Sequence, residues 1–299
     1  MRLMLTGANG QVGWELSRSL APLGDVIAFD RSRCDLSRPH ELPGLVAEAK
    51  PDVIVNAAAY TAVDKAEEEE ALATTVNGTA AGVLADAARK SGALLIHYST
   101  DYVFDGTKDT PYTEEDVPNP INAYGRSKLA GERAIAAAEA DHLILRTSWV
   151  YAARGRNFVK TILRLAGERD ELRIVDDQVG APTWARDIAD ATASVVQQAL
   201  RERREERFSP AIVNMTAAGE TSWYGFAQGI LDAASARGLL VKRPRFSPVS
   251  TSEYVTPARR PKNSLLAAAR LRDRCGIALA DWRQSLAACL QDPVLKEAA

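Results

Sequence analysis

The chain has 299 residues, 46% hydrophobic and 25% charged, with a formal net charge of −2. This is enough chain for one large domain or two unequal ones around a substantial core. The near-neutral balance gives no electrostatic ground for nucleic acid or an anionic membrane as partner.

Cys34, Cys275 and Cys289, like His40, His97 and His142, are scattered without metal-ligand or disulfide spacing. No metal site is expected from them, the histidines read as ordinary core or surface residues, and the thiols point to a reducing compartment. MRLMLTGANG reaches glycine too early for a secretory signal, and no later run is long and apolar enough to span a membrane. A cytoplasmic location is therefore expected.

In chain order, RLMLTG (2–7), DVIAFD (25–30), DVIVNAAA (52–59), ALLIHYST (93–100) and HLILRTSWVY (142–151) are short aliphatic or β-branched runs that read as strands. Helical patterns fill the gaps: QVGWELSRSLAPLG, ELPGLVAEAK, ALATTVNGTAAGVLADAARKSG and the segment around Tyr124. Near-continuous hydrophobicity means burial on both strand faces, so 1–150 is expected to form an α/β, doubly wound parallel sheet (Rossmann) with right-handed crossovers. Beyond 150 the rhythm loosens into LRIV, AIVNM and FSPV between ARDIADATASVVQQAL and YGFAQGILDAASARG. A smaller C-terminal α/β substrate domain over 151–299 is expected, with part of 184–234 packing back on the first. AEEEEA (66–71) and RERREER (201–207) read as solvated helix ends, and the tail after Asp292 as frayed.

The first strand runs into TGANGQVG and then a helix, with Gly7, Gly10 and Gly13 three apart. Such glycines permit a tight turn, close approach of backbone N–H groups to a pyrophosphate, and close packing of helix on strand. Asp30, ending strand two, suits an adenosine ribose; Arg31 and Arg33 suit a 2′-phosphate instead. NADH and NADPH therefore both remain open. Asp35 and Leu36 suit the adenine ring or a simple helix cap. The small residues of NAAA, followed by Tyr60 and Thr61, leave room for a cofactor across the strand ends.

Tyr124 and Lys128 stand one helical turn apart. A nicotinamide supplies hydride but no proton, so reduction of a ketone needs an acid. A tyrosine serves if a nearby ammonium favours its phenolate. Thr100, at the end of strand four, supplies a hydroxyl to orient the carbonyl, whereas strand alternation turns Ser99 away. Trp149 reads as core or as a ligand contact. Arg259, Arg260, Lys262 and Asn263 form either a clamp for a nucleotide diphosphate or a surface loop.

These residues, with STDYVFDGT, DDQVGAPT and TPARRPKNS, resemble the extended short-chain dehydrogenase/reductases along nearly the whole chain. The resemblance is to the branch that reduces 4-keto-6-deoxy sugar nucleotides for polysaccharide biosynthesis. It implies Gln11 and Val12 at the pyrophosphate, Ala59, Tyr60 and Thr61 along the cofactor, and Asp30, Asp35 and Leu36 at its adenosine end. It also implies Tyr124 as proton donor beside Lys128, and Val63, Asp64, Thr100, Asp101 and Trp149 at the sugar. Some family members are described as dimers bridged by magnesium on glutamates. Glu15 matches one of these, but Arg186 stands at the next, so a monomer or a homodimer without a metal bridge is expected.

Related epimerases and dehydratases use similar tyrosine–lysine pairs. Tyr102 after Thr100-Asp101, where dehydratases carry glutamate, argues against water elimination. A non-catalytic subunit like the β subunit of methionine adenosyltransferase is the alternative of another class.

Overall fold

The computed structural model describes residues 1–240 and 242–296. Six parallel strands form its main sheet: β1 (Arg2–Thr6), β2 (Asp25–Phe29), β3 (Val53–Asn56), β4 (Leu94–Thr100), β5 (His142–Thr147) and β6 (Ala211–Asn214). Their order is β2-β1-β3-β4-β5-β6, so the winding reverses between β1 and β3. Open α/β sheets bind ligands at such a reversal, beyond the carboxyl ends of the strands.

Helices α1 (Gln11–Leu20), α2 (Leu42–Ala49), α3 (Ala80–Ser91) and α4 (Ala123–Ala137) connect these strands. Then follow α5 (Phe158–Glu168), α6 (Ala185–Arg204) and α7 (Trp223–Ser235). Strand alternation divides the core in two. Leu3, Leu5, Val53, Val55, Ile96 and Leu145 pack with Leu16 and Leu20 of α1 and Ile188 and Val196 of α6. Met4, Ile54, Leu95 and Ile144 pack on the opposite face with Val46 of α2 and Leu84 of α3. Each such side chain, fully withdrawn from water, contributes about 1.5–3 kcal/mol before the entropy cost of ordering it. Burial on both faces explains the unbroken apolar runs.

Helix α6 packs along α1, and β6 extends the sheet beside β5. A second core gathers Tyr151, Val159, Phe226, Ile230, Trp282 and Leu286 beneath a parallel pair, Glu171–Val175 with Arg245–Val249.

Four sequence expectations are corrected. The run 142–151 is two strands: after Thr147 the chain bends, with Trp149 at φ 47°, and Val150–Tyr151 pairs with Thr183–Trp184. The 201–207 run is not wholly solvated, because Glu202 is buried and takes an ion pair from Arg274 at 2.6 Å. In the 66–71 run Glu67 and Glu68 are exposed as expected, but Glu67, Glu69 and Glu70 also hold partners, as described below. The tail forms a short helix, Pro293–Lys296, with Leu295 buried, although residues 297–299 of that stretch lie outside the described residues. Among the described residues, no helix is long and apolar enough to cross a membrane.

Candidate active site

The turn after β1 admits only glycine at two points. Gly7 has φ +71°, and a Cβ there would lie 2.7 Å from the backbone nitrogen of Ala58. A Cβ on Gly13 would lie 2.0 Å from the Gly7 carbonyl oxygen, so its absence lets α1 sit down on the turn. Gly10 N–H donates to Gly7 O at 2.9 Å, and α1 begins without a side-chain cap. Backbone donors at the helix start are thus left for an anion. Gln11 is fixed by Asn157, whose Nδ2 donates to its Oε1 at 2.9 Å, and Val12 packs against the apolar core.

Downstream of β2, Asp30 accepts from the N–H and hydroxyl of Ser32 at 3.0 and 2.6 Å and from Asn9 Nδ2 at 3.2 Å. The Ser32 hydroxyl is the main cause that holds its carboxyl below the usual range. Asp35 is likewise held, by the N–H and hydroxyl of Ser37. Arg31 is exposed with Nε 3.7 Å from Asp35, Leu36 is buried, and Arg33 lies over the Phe29 ring. A glycine cradle, free helix donors and a fixed carboxylate fit a dinucleotide.

Helix α4 starts where the sequence places Tyr124. Asn122 caps it, accepting from Gly125 N–H at 2.8 Å, while its Nδ2 donates to Arg259 O at 2.8 Å. Glu67 accepts from Ala123 N–H at 2.7 Å. Tyr60 Oη donates to Glu69 at 2.8 Å, and Arg126 pairs with Glu70 at 2.7 Å. Glu67 and Glu70 therefore brace the first turn of α4. Asn77, in a π turn at Thr75–Thr79, holds both backbone groups of Tyr60 and donates to Ser127 at 2.9 Å. Ala59 and Thr61 flank this braced residue on the exposed side.

Tyr124 lies beside Thr100 at the end of β4. Burial pushes its phenol up to about 12, and the neighbouring Thr100 hydroxyl works against that rise. Thr100 Oγ1 donates to Asp101 Oδ1 at 2.8 Å. Burial raises the Asp101 carboxyl to about 7 against the hydrogen bond from Thr100, and its buried Oδ2 has no partner. Ser99 turns away and donates to Glu132 at 2.5 Å. Lys128 is 2% exposed and its Nζ donates to Tyr98 O at 2.5 Å. Desolvation lowers Lys128 to about 8, opposed by the Glu132 carboxylate. The arrangement is a proton donor with a shielded cation one turn below, so it suits protonation of a forming alkoxide.

The Lys128 shift gives a pH expectation of two signs. Turnover is expected to fall as pH rises through about 8, where the ammonium is lost. Fold stability is expected to rise between about 8 and the ordinary 10.5, because there the unfolded chain binds the proton that the folded chain has released. His97 and Glu132 face Lys128, and Asp101 titrates nearby, so the rate profile is best compared with that of Asp101→Asn. A fall near pH 8 that vanishes in that variant would assign the limb to Asp101.

On the substrate side, Trp149 stacks on Trp223 with ring centroids 3.6 Å apart. A Cβ on Gly180 would lie 2.5 Å from the Trp149 ring, which is therefore clamped from both faces. A left-handed backbone at a tryptophan is a strained conformation of the kind that clusters at ligand clamps. Asp64, next to the half-buried Val63, accepts two bonds from Arg260 at 2.6 and 2.8 Å. Asn263 Nδ2 donates to the carbonyls of Lys108 and Thr110 at 2.7 and 3.0 Å. The structure thus uses Arg260 and Asn263 to hold loops together. Arg259 and Lys262, which also line this cleft of about 910 Å³, make no ion pair among the described residues.

Sequence reasoning missed His97, whose Nε2 stands 3.3 Å from Lys128 Nζ. It also missed Asn77 and the acids that brace α4. Their signal was weak: an Asn inside a helical pattern and a histidine three residues before Thr100. Glu15 does not fit a divalent cation, because both carboxylate oxygens are taken by Arg186 at 3.0 and 3.3 Å, which also bonds Asp292.

The family model described as RmlD substrate binding domain matches residues 1–294. The chain is 55% identical to dTDP-4-dehydrorhamnose reductase of Burkholderia thailandensis over 98% of its own length and 99% of the relative. It is 46% identical to the enzyme of that name from Escherichia coli, covering 95% of each. It is similar to the crystal structure of dTDP-4-dehydrorhamnose reductase from Bacillus anthracis in complex with NADP, with TM-score 0.89 and 35% identity over 97% of this chain and 99% of that one.

Proposed function

The chain belongs to the RmlD substrate binding domain family, and from that premise we propose that it reduces dTDP-4-dehydrorhamnose to dTDP-L-rhamnose with NADPH or NADH. The observation that carries this reading is Tyr124 beside Thr100 at the strand ends, with Lys128 buried one turn deeper on the same helix. Gly7, Gly10, Gly13, Gln11 and Val12 cradle the pyrophosphate, and Asp30 and Asp35 take the adenosine end. When bound, the reduced nicotinamide supplies the hydride.

Tyr124 gives its proton to the oxygen at C4 of the sugar. Lys128 stabilises the phenolate left behind, since a positive charge favours the ionised phenol. Thr100 orients the carbonyl. Asp101 accepts from the Thr100 hydroxyl at 2.8 Å and so fixes where that oxygen stands. Trp149 covers the sugar ring, and Val63 and the Asp64–Arg260 pair form the adjoining wall. Arg259 and Lys262, which line the cleft without an ion pair among the described residues, take the diphosphate. Arg186 bonded to both Glu15 and Asp292 within one chain supports a monomer or a homodimer built without a bridging metal. Free thiols at Cys34, Cys275 and Cys289 support a cytoplasmic setting.

The direct test supplies enzymatically prepared dTDP-4-keto-6-deoxy sugar and follows loss of NADH and NADPH fluorescence separately. Oxidation of either cofactor with appearance of dTDP-L-rhamnose is expected. A sugar product made without net cofactor oxidation would point to epimerisation instead.

A further inference from the structure

We infer that His97 and Asn56 are positioning residues of this site, and that they hold Lys128 as an ammonium by keeping the His97 hydrogen on Nδ1. The inference rests on the acid role of Tyr124 with Lys128 but concerns residues outside that pair.

Thr6, Asn56 and His97 are register partners across β1, β3 and β4, at 0%, 1% and 1% exposure. They form a buried polar row across three neighbouring strands. Thr6 Oγ1 donates to Asn56 Oδ1 at 2.6 Å, and Asn56 Nδ2 lies 3.0 Å from His97 Nδ1. His97 Nε2 is 3.3 Å from Lys128 Nζ. One end of the row meets the nucleotide turn, since Gly7 follows Thr6. The other end meets the catalytic lysine.

An ammonium has hydrogens and no lone pair. One Lys128 hydrogen goes to Tyr98 O, and a second points at His97 Nε2, which must then accept. Burial, and then the charge of Lys128, keep His97 neutral by driving its pKa well below the ordinary value. A neutral imidazole carries a single N–H, so that hydrogen sits on Nδ1. The Asn56 atom facing Nδ1 must consequently be its carbonyl oxygen, so the inference turns the carboxamide over from the orientation in the structure. The two ends of a carboxamide are nearly isosteric, so the turn moves no other atom, and Thr6 Oγ1 then accepts from the NH2 instead of donating. The opposite tautomer would set N–H against N–H unless Lys128 were a neutral amine. A neutral amine offers no charge to a phenolate. The charge on Lys128, the His97 tautomer and the Asn56 orientation are therefore one linked choice.

With three histidines in the chain, the tautomer is directly readable. Two-bond nitrogen–proton spectra of the ligand-free, 15N-labelled protein below pH 8 identify the lone-pair nitrogen of each ring. His97 is assigned by its loss in His97→Gln. The nitrogen coupled to both ring C–H protons, Nε2, is expected to be the unprotonated one. A lone pair on Nδ1, or a doubly protonated ring, would overturn the inference while leaving the Tyr124 role standing.

Activity supplies the second arm. Gln at position 97 places a non-titrating carbonyl oxygen near the Nε2 site, whereas Leu removes the acceptor. His97→Gln is expected to retain most of the wild-type kcat, and His97→Leu to lose about 10–100-fold with cofactor KM within about threefold. Equal kcat in the two variants, high or low, would contradict the role. Should His97→Leu not fold, the spectrum and the kcat of His97→Gln decide: loss of turnover in the Gln variant counts against the acceptor role.

Discussion

Tyr124→Phe is expected to lower kcat by about 10²–10⁴-fold while leaving cofactor affinity within about twofold. The substitution removes one oxygen. The ring keeps its edge contact with Tyr102, whose centroid lies 5.9 Å away, so packing at the start of α4 is undisturbed. What disappears is the proton that burial holds on the phenol and that Thr100 helps to direct. Because the acid acts in the transition state, kcat and kcat/KM should fall together. Steady-state kinetics beside a cofactor titration separate this from a folding defect. A variant with wild-type kcat would remove Tyr124 from the chemistry.

Glu132→Ala is expected to destabilise the fold by about 3–5 kcal/mol, read as a lower urea midpoint. Glu132 and Arg146 are 4% and 1% exposed and joined by two bonds, of 2.9 and 2.6 Å. Ser99 adds a third bond to the carboxylate, and Phe104 lies 5.0 Å from the guanidinium. Removing the acid strands a buried guanidinium, and that uncompensated charge dominates the cost rather than the worth of the pair itself. A Glu132→Leu, Arg146→Met double variant should accordingly recover much of the loss. Lys128 also loses an opposing charge that keeps it protonated, so residual activity should fall off at lower pH than in the native chain. A single-variant loss under about 1 kcal/mol would show that the pair is not shielded as the structure has it.

The legible part of the site is the part built from local rules. Gly7 and Gly13 are readable because a turn conformation or a close backbone approach excludes every side chain, and Tyr124 with Lys128 because helical spacing alone puts them one turn apart. The sheet could be read from the apolar runs, since burial on both faces leaves no polar alternation to confuse strand with surface. Residues whose role depends on a partner distant in sequence were not readable. Glu67, Glu69 and Glu70 look like a solvated run until Ala123, Tyr60 and Arg126 are brought beside them. His97 looks like any core histidine until α4 lays Lys128 against it. Arg260 and Asn263 had the right chemistry for a phosphate, but Asp64 and two loop carbonyls reach them first. The break at Trp149 has no glycine or proline to announce it; the stacking of two indoles against Gly180 accounts for it.

On the proposed reading, a ketone at C4 of the sugar receives hydride as Tyr124 protonates its oxygen. Turnover with cofactor deuterated at the transferable C4 position of its nicotinamide tests this most directly, with the product sugar analysed by NMR. One deuterium at C4 of the rhamnose, absent from the product of unlabelled cofactor, is the result the account predicts. Deuterium at another carbon, or a C4-reduced product carrying none, would contradict it.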